Sequence, residues 1–309
     1  MPRTTRRLLL VVFALTGFSA LTLQVLWQRV IALHAGVDLV SFTTVIAAFL
    51  AGLGFGSLLG GVVADRVGPT RSGRWFAAAN IGIGLFAFAS IWLLYDLYQV
   101  VAPDLGSAWL KFAFNAGLVL IPTTLMGLSL PLVAKTVVAT IDDAGPVVGR
   151  LYAANTLGAA AGAATSGWLI IGSLGFVSTA RLAGSLNLLA ALIVLVALRR
   201  PARPIASETA PADDGAGASI NTGQDGRIWP WFVIYGLTGA VALGYELVFF
   251  RVIDSVMRAN SYSFAHVLAW YLALFGLGTA LGSAIVRRTT RPARWFFGLQ
   301  FGVGIAALA

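Results

Sequence analysis

Read only for apolar and polar positions, the chain is a series of long apolar runs separated by short polar breaks. Nine runs stand out, at roughly 8–33, 40–64, 75–101, 112–138, 151–172, 177–198, 229–256, 262–286 and 295–309. Most exceed the ~20 residues that carry a helix across a bilayer. Charged residues do not recur within them at helical period, as they would on the wet face of a soluble helix. The pattern predicts an all-α polytopic membrane protein. The last run stops at Ala309 after a rise of only ~22 Å, short of the ~30 Å apolar core. This reads as a chain that continues further.

Composition agrees with the pattern. Hydrophobic residues make up 58% of the chain and charged residues 11%, where a soluble domain carries about 25% charge. Mean hydropathy is +0.86. Cysteine is absent and only two histidines occur, His34 and His266. Disulfides, thiolate metal sites and histidine metal sites are thereby excluded. No cofactor motif is found, and no catalytic one.

The net charge of +9 is an argument about topology rather than nucleic acid. Sixteen of the 21 cations fall at one set of run ends, including Arg3, Arg6, Arg7, Arg66, Arg71, Arg74, Lys135, Arg150 and Arg199. The opposite loops are short, and one is acidic, YDLYQVVAPDLGSAW. By the positive-inside rule the N-terminus is cytoplasmic, and anionic lipid headgroups meet the cationic ends. RTTRR followed by an apolar run imitates a signal peptide, but the run is longer than a 7–15-residue signal core.

Three regions follow. Residues 1–198 form a first six-helix half. Residues 199–228, rich in Pro, Ala, Gly and Asp, form a flexible cytoplasmic linker. Residues 229–309 begin a second half with three helices. Sliding the chain by 222 positions aligns 17–66 with 239–288 without a gap, with 17 of 50 positions identical. Gly17/Gly239, Arg29/Arg251, Gly54/Gly276, Gly56/Gly278 and Gly60/Gly282 are among the matches. Glu246 falls opposite Gln24. Six helices separate the copies, so both point the same way. Parallel repeats related by a rotation near ~180° about the membrane normal are the plan of major-facilitator transporters.

The loop GGVVADRVGPTR resembles the facilitator-superfamily signature G-x-x-x-D-R-x-G-x-x-R at Gly61, Asp65, Arg66, Gly68 and Arg71. The resemblance implies a conformational latch, with Gly61 at a close helix approach and Asp65 meeting a cation or helix N-terminus across the interface between halves. An ordinary basic turn is the plain alternative. The second copy has Arg287 in place of the aspartate. Small residues four apart, Gly52/Gly56/Gly60 and Gly158/Gly162, predict close helix packing. Pro122 and Pro131 in IPTTLMGLSLP each free a carbonyl and kink the fourth helix, with Thr123, Thr124 and Ser129 available to satisfy it. Such a kink either lines a pathway or simply bends the helix.

Glu246 is the one carboxylate deep in an apolar run. An intramembrane carboxylate faces an interior or a cavity and marks function by default; a buried structural partnership is the rival. Gly239, Leu243 and Phe250 share its stripe. Gln24 and Asn115 join Glu246 as candidate substrate-binding residues. Asn80, Asn115, Asn155 and Asn187 also suit hydrogen bonds between helices. Arg29 and Arg251 read as boundary anchors in the two halves.

GFSALTLQVLWQRV, TTVIAAFLAGLGFGSLLGG, PTTLMGLSLPLVAK and GRLYAANTLGAAAG together resemble the membrane portion of bacterial fused membrane/spermidine-synthase-like proteins. The resemblance spans nearly the whole chain except the linker. It implies a multi-pass protein of the bacterial inner membrane with a facilitator-like helical region. In such proteins a soluble aminopropyltransferase-like domain often follows, binding decarboxylated S-adenosylmethionine and a polyamine through a glycine-rich, acidic loop. No such loop stands in these residues. Three functions therefore remain: a facilitator-like transporter or transporter-derived module for a small, cationic, polyamine-related solute; the membrane part of a fused aminopropyltransferase; or a scaffold without transport. Reading the frame past Ala309 discriminates them, since a glycine-rich αβ domain there favours the fusion.

Overall fold

A backbone placed in an apolar medium must satisfy its own hydrogen bonds, and a helix does so within one segment. The computed structural model describes residues 3–35, 39–137, 141–199, 225–257, 263–286, 289 and 291–308, and every regular element among them is helical. In chain order these are α1 (Arg3–Ala35), α2 (Leu39–Ile91), α3 (Leu97–Val101), α4 (Ala108–Val137), α5 (Ile141–Thr165), α6 (Ile171–Arg199), α7 (Asp225–Met257), α8 (Ser263–Val286) and α9 (Pro292–Leu308). Wider π-type turns at Trp92–Asp96 and Ser166–Ile170 join α2 to α3 and α5 to α6. Five stretches are long and apolar enough to cross a membrane, by length and composition.

Two of those stretches run to 58 and 52 residues, some 80 Å of helix and far more than one crossing. A single glycine breaks each. Gly68 (φ 73°, ψ 172°) divides α2 and Gly175 (φ 73°, ψ 177°) divides α6, a backbone region open essentially to glycine alone. Pro69 follows the first break, the residue preferred at a helix start because its missing N–H would go unpaired there anyway. Both elbows share one further device. The buried hydroxyl four residues on, Ser72 or Thr179, donates to the glycine carbonyl at 2.8 and 2.6 Å.

The chain reverses at each elbow. The first limb of α2 runs parallel to α4, with Gly52 against Thr123 and Gly60 against Leu128; the second runs antiparallel, with Gly73 near Thr136 and Gly82 near Leu125. Sequence reading places loops at these two points, and the structure replaces each with one residue. The expected linker differs at its end, because α7 already begins at Asp225; residues 200–224 lie outside the described residues. The described spans of α1 and α7 are each 33 residues, and both their ends are offset by the 222 positions of the sequence repeat.

Packing follows the small residues. On α2, a Cβ at Gly52 would land on the Thr123 side chain, and one at Gly56 on the Thr124 carbonyl. Between α1 and α5, Gly17 sits on the Asn155 carbonyl, Gly158 on that of Ala14 and Gly162 on that of Phe18. Backbones this close gain dispersion contacts that lipid cannot supply. The close approach expected at Gly61 is made at Gly60 instead, since a Cβ on Gly61 would meet nothing within 4 Å. Gly61 sits one position, about 100°, off the packed stripe.

Candidate functional site

Two apolar clusters divide these helices by height. One gathers Leu23, Leu26, Trp27, Ile31, Val119 and Ala180; the other gathers Leu9, Val12, Phe76, Leu132, Leu151 and Val194. The residues between them are polar and buried on five helices: Thr16 on α1, Asn80 on α2, Ser129 on α4, Thr156 on α5 and Asn187 on α6, with buried Gln24 of α1 at the height of the first cluster. At this level a cavity of about 650 Å³ opens, within the range of small-molecule sites. Its far wall comes from Tyr235, Thr238 and Gly239 of α7, Tyr271 and Phe275 of α8, and Phe296 and Gln300 of α9. None of its described lining residues carries a formal charge.

Asn187 ties the polar layer across helices. Its Nδ2 donates to Ser19 Oγ at 2.5 Å, and Ser19 Oγ donates to the Ala183 carbonyl at 2.8 Å. Asn80 turns to its own helix rather than across helices; Asn115 does so too, but its side chain also reaches His34 of α1 and Tyr98 of α3, the interhelical role expected of it. Each donates to the carbonyl four residues back on its own helix, Phe76 and Lys111. Asn80 also leaves its buried Oδ1 without a hydrogen-bond partner, an arrangement that costs free energy until a donor arrives. Asn80 lines the cavity.

The candidate binding residues are not brought together. Gln24, 5% exposed, lines the cavity. Asn115 does not; it sits beside the stacked rings of His34 and Tyr98, whose centroids are 3.9 Å apart. Glu246 lies on α7, but its side chain is outside the described residues, as are those of Leu243, Phe250 and Arg251. Gly239 of the same stripe does reach the cavity.

Of the loop residues, Asp65 pairs with Lys135 of α4, Nζ to Oδ1 at 3.3 Å. That partner belongs to the first six helices rather than to the other half. Both side chains are well exposed, so the pair contributes little stability. Arg66 and Arg71 are exposed, and Gly68 is the elbow itself. Pro122 and Pro131 both lie inside a continuous α4. Pro131 frees the Gly127 carbonyl, and the donor that reaches it is Ser57 of α2 at 3.4 Å, not Ser129. Gly127, Ser129 and Ser57 all line the cavity, so the carbonyl freed by Pro131 lies at the cavity wall.

Arg29 has a task beyond anchoring. Its guanidinium donates to the Gly167 carbonyl, 2.8 Å away, in the π-type turn between α5 and α6. Widened turns disturb the regular hydrogen-bond ladder, and here an arginine from α1 meets one of the turn's carbonyls. A Cβ on Gly167 would strike Ala265 of α8, so α1, this turn and α8 converge there.

The reading from sequence missed the aromatic side of the cavity. Tyr152 and Phe275 meet edge to face with centroids 5.9 Å apart, and Phe275 stacks with Tyr271 at 6.2 Å. The signal was present in AWYLALFG, where the two α8 rings stand four apart and hence on one face. Among the described residues no group of three or more metal-ligating side chains occurs.

No family model matches the chain, and no solved structure matches it. Among characterised proteins, a polyamine aminopropyltransferase of Corynebacterium efficiens is 29% identical over 206 residues. The match covers 65% of this chain and 37% of that relative. The chain thus spans a little more than a third of the length of a relative named for chemistry on polyamines, and resembles it there.

Proposed function

We propose that the chain is a facilitator-like membrane module that binds a small amine of the polyamine class in the cavity between α1–α6 and α7–α9. The observation that carries this reading is the buried polar layer opening into a cavity, held between two apolar clusters. The name of the relative supports the solute class. The 222-residue repeat and the matching spans of α1 and α7 support a two-halved plan. Within it, Gln24 and Glu246 are the paired positions of the two halves. Asp65, Arg66 and Arg71 form the cytoplasmic latch, with Lys135 as the aspartate's partner in this conformation.

Purified protein in detergent tests the binding. Labelled spermidine should bind saturably near one per chain, and unlabelled putrescine should compete. Folded protein that shows no saturable binding would reject the reading. Orientation is tested separately in cells. A reporter fused after Arg203 should be cytoplasmic and one within residues 100–106 periplasmic; the reverse pattern would overturn the latch assignment too.

The relative's name also favours a second reading, in which these helices are the membrane part of an aminopropyltransferase-type enzyme. The cavity would then hold the acceptor amine near that enzyme's reaction. Aminopropyl transfer by the full gene product, lost on altering the cavity, separates this from simple binding.

A further inference from the structure

We propose that the cavity grips a primary alkylammonium group with an aromatic box built from Tyr152, Tyr235, Tyr271 and Phe275. The proposal rests on the binding function above and names its recognition element. Four rings come from three helices, α5, α7 and α8, and all four line the cavity. They are not sealed in the core: Tyr152 is 37% exposed, Phe275 43% and Tyr235 75%. The Tyr152–Phe275 and Phe275–Tyr271 contacts fix three of the rings against one another. The Tyr152 phenol also lies within electrostatic range of the phenols of Tyr235 and Tyr271, so phenols from α5, α7 and α8 approach one another across the cavity.

The chemistry follows from what this wall offers. No described lining residue is charged, so among the described residues an anion finds no cation on this wall. A cation finds ring faces, whose quadrupoles attract it, and phenol oxygens that accept its N–H bonds. The Asn80 Oδ1 supplies a further acceptor elsewhere on the cavity wall. A neutral polyol would gain hydrogen bonds only. The box spans the two sides of the cavity, since Tyr152 belongs to the first six helices and the other three rings to α7 and α8. An ammonium held there would bridge them.

The test titrates full-length protein in detergent with 1,6-diaminohexane and with its uncharged counterpart 1,6-hexanediol, following melting temperature and calorimetric affinity. The wild type should prefer the diamine. Tyr152→Leu and Phe275→Leu should each weaken diamine binding about five- to tenfold, the scale of a partly exposed cation–ring contact. Tyr152→Trp, which keeps a ring, should recover most of it and also covers the case of a leucine variant that fails to fold. Equal affinity for diamine and diol would overturn the ammonium assignment. Leucine variants that bind like the wild type would overturn the box while leaving the binding function standing. No saturable binding of either compound to folded protein would overturn both.

Discussion

Gly56→Val should yield a protein that no longer runs as one folded species in detergent, whereas Gly61→Val should behave like the wild type. A Cβ at Gly56 would land on the Thr124 carbonyl, with the Gly127 Cα 2.8 Å away. Both obstacles are backbone, so no side-chain rotamer relieves them. Overpacking a core usually costs about 1–3 kcal/mol, and a contact that must push α2 away from α4 belongs at or above the top of that range. Gly61 meets nothing within 4 Å, so its substitution leaves the α2–α4 seam intact. Size-exclusion profiles and thermal melts of the two variants decide the matter. Equal melting temperatures would mean that the seam between α2 and α4 is not what holds the first half together.

Glu246→Gln should abolish amine binding and uptake while leaving membrane insertion unchanged. The substitution keeps size and removes charge, and it installs the amide type found at the repeat mate Gln24. Thr238, Gly239 and Ala242 of α7 line the cavity, and position 246 is one turn beyond Ala242 in the same helical register. In a cavity whose described lining is uncharged, one carboxylate changes the affinity for a cation by far more than any single hydroxyl. Loss of melting temperature with binding retained would instead make Glu246 a structural partner. A variant silent in both measurements would remove it from any role.

The helical architecture was legible because length and hydropathy suffice for it. Runs of some 20 apolar residues announce themselves, and so do glycines four apart. The seams at Gly52/Gly56 and Gly158/Gly162 could therefore be read before any coordinates. The elbows could not, because GPTRS and GFVST look like loops in sequence. Only the φ values show that one glycine suffices, with Ser72 or Thr179 pinning it. The site was half legible. The repeat marks Gln24, but Asn115 is in sequence only a polar residue in an apolar run, and polarity alone does not give a helix face. The aromatic wall was passed over for the opposite reason, since Tyr and Phe in a membrane helix look like ordinary apolar filling until three helices bring their rings to one place. Arg29 was read from its depth in the helix. Its actual partner, a carbonyl 138 residues away, depends on a π-type turn that no local pattern foretells.

The single-glycine elbows have a mechanical consequence. A reversal made by one residue leaves no slack, so the two limbs of α2 cannot slide past each other by a helical turn, and neither can those of α6. Each hairpin keeps the register of its two limbs, and the glycine dihedrals are the one hinge between them. The first limb of α2 brings Ile46 and Ser57 to the cavity, and the second brings Asn80 and Ile83. A shift of the first limb along its axis must therefore carry Asn80 with it, and the α6 hairpin ties the Gly167 turn to Asn187 in the same way. At Pro131 the Gly127 carbonyl that a regular helix would tie down itself is met instead by Ser57 at 3.4 Å, which links the first limb of α2 to α4.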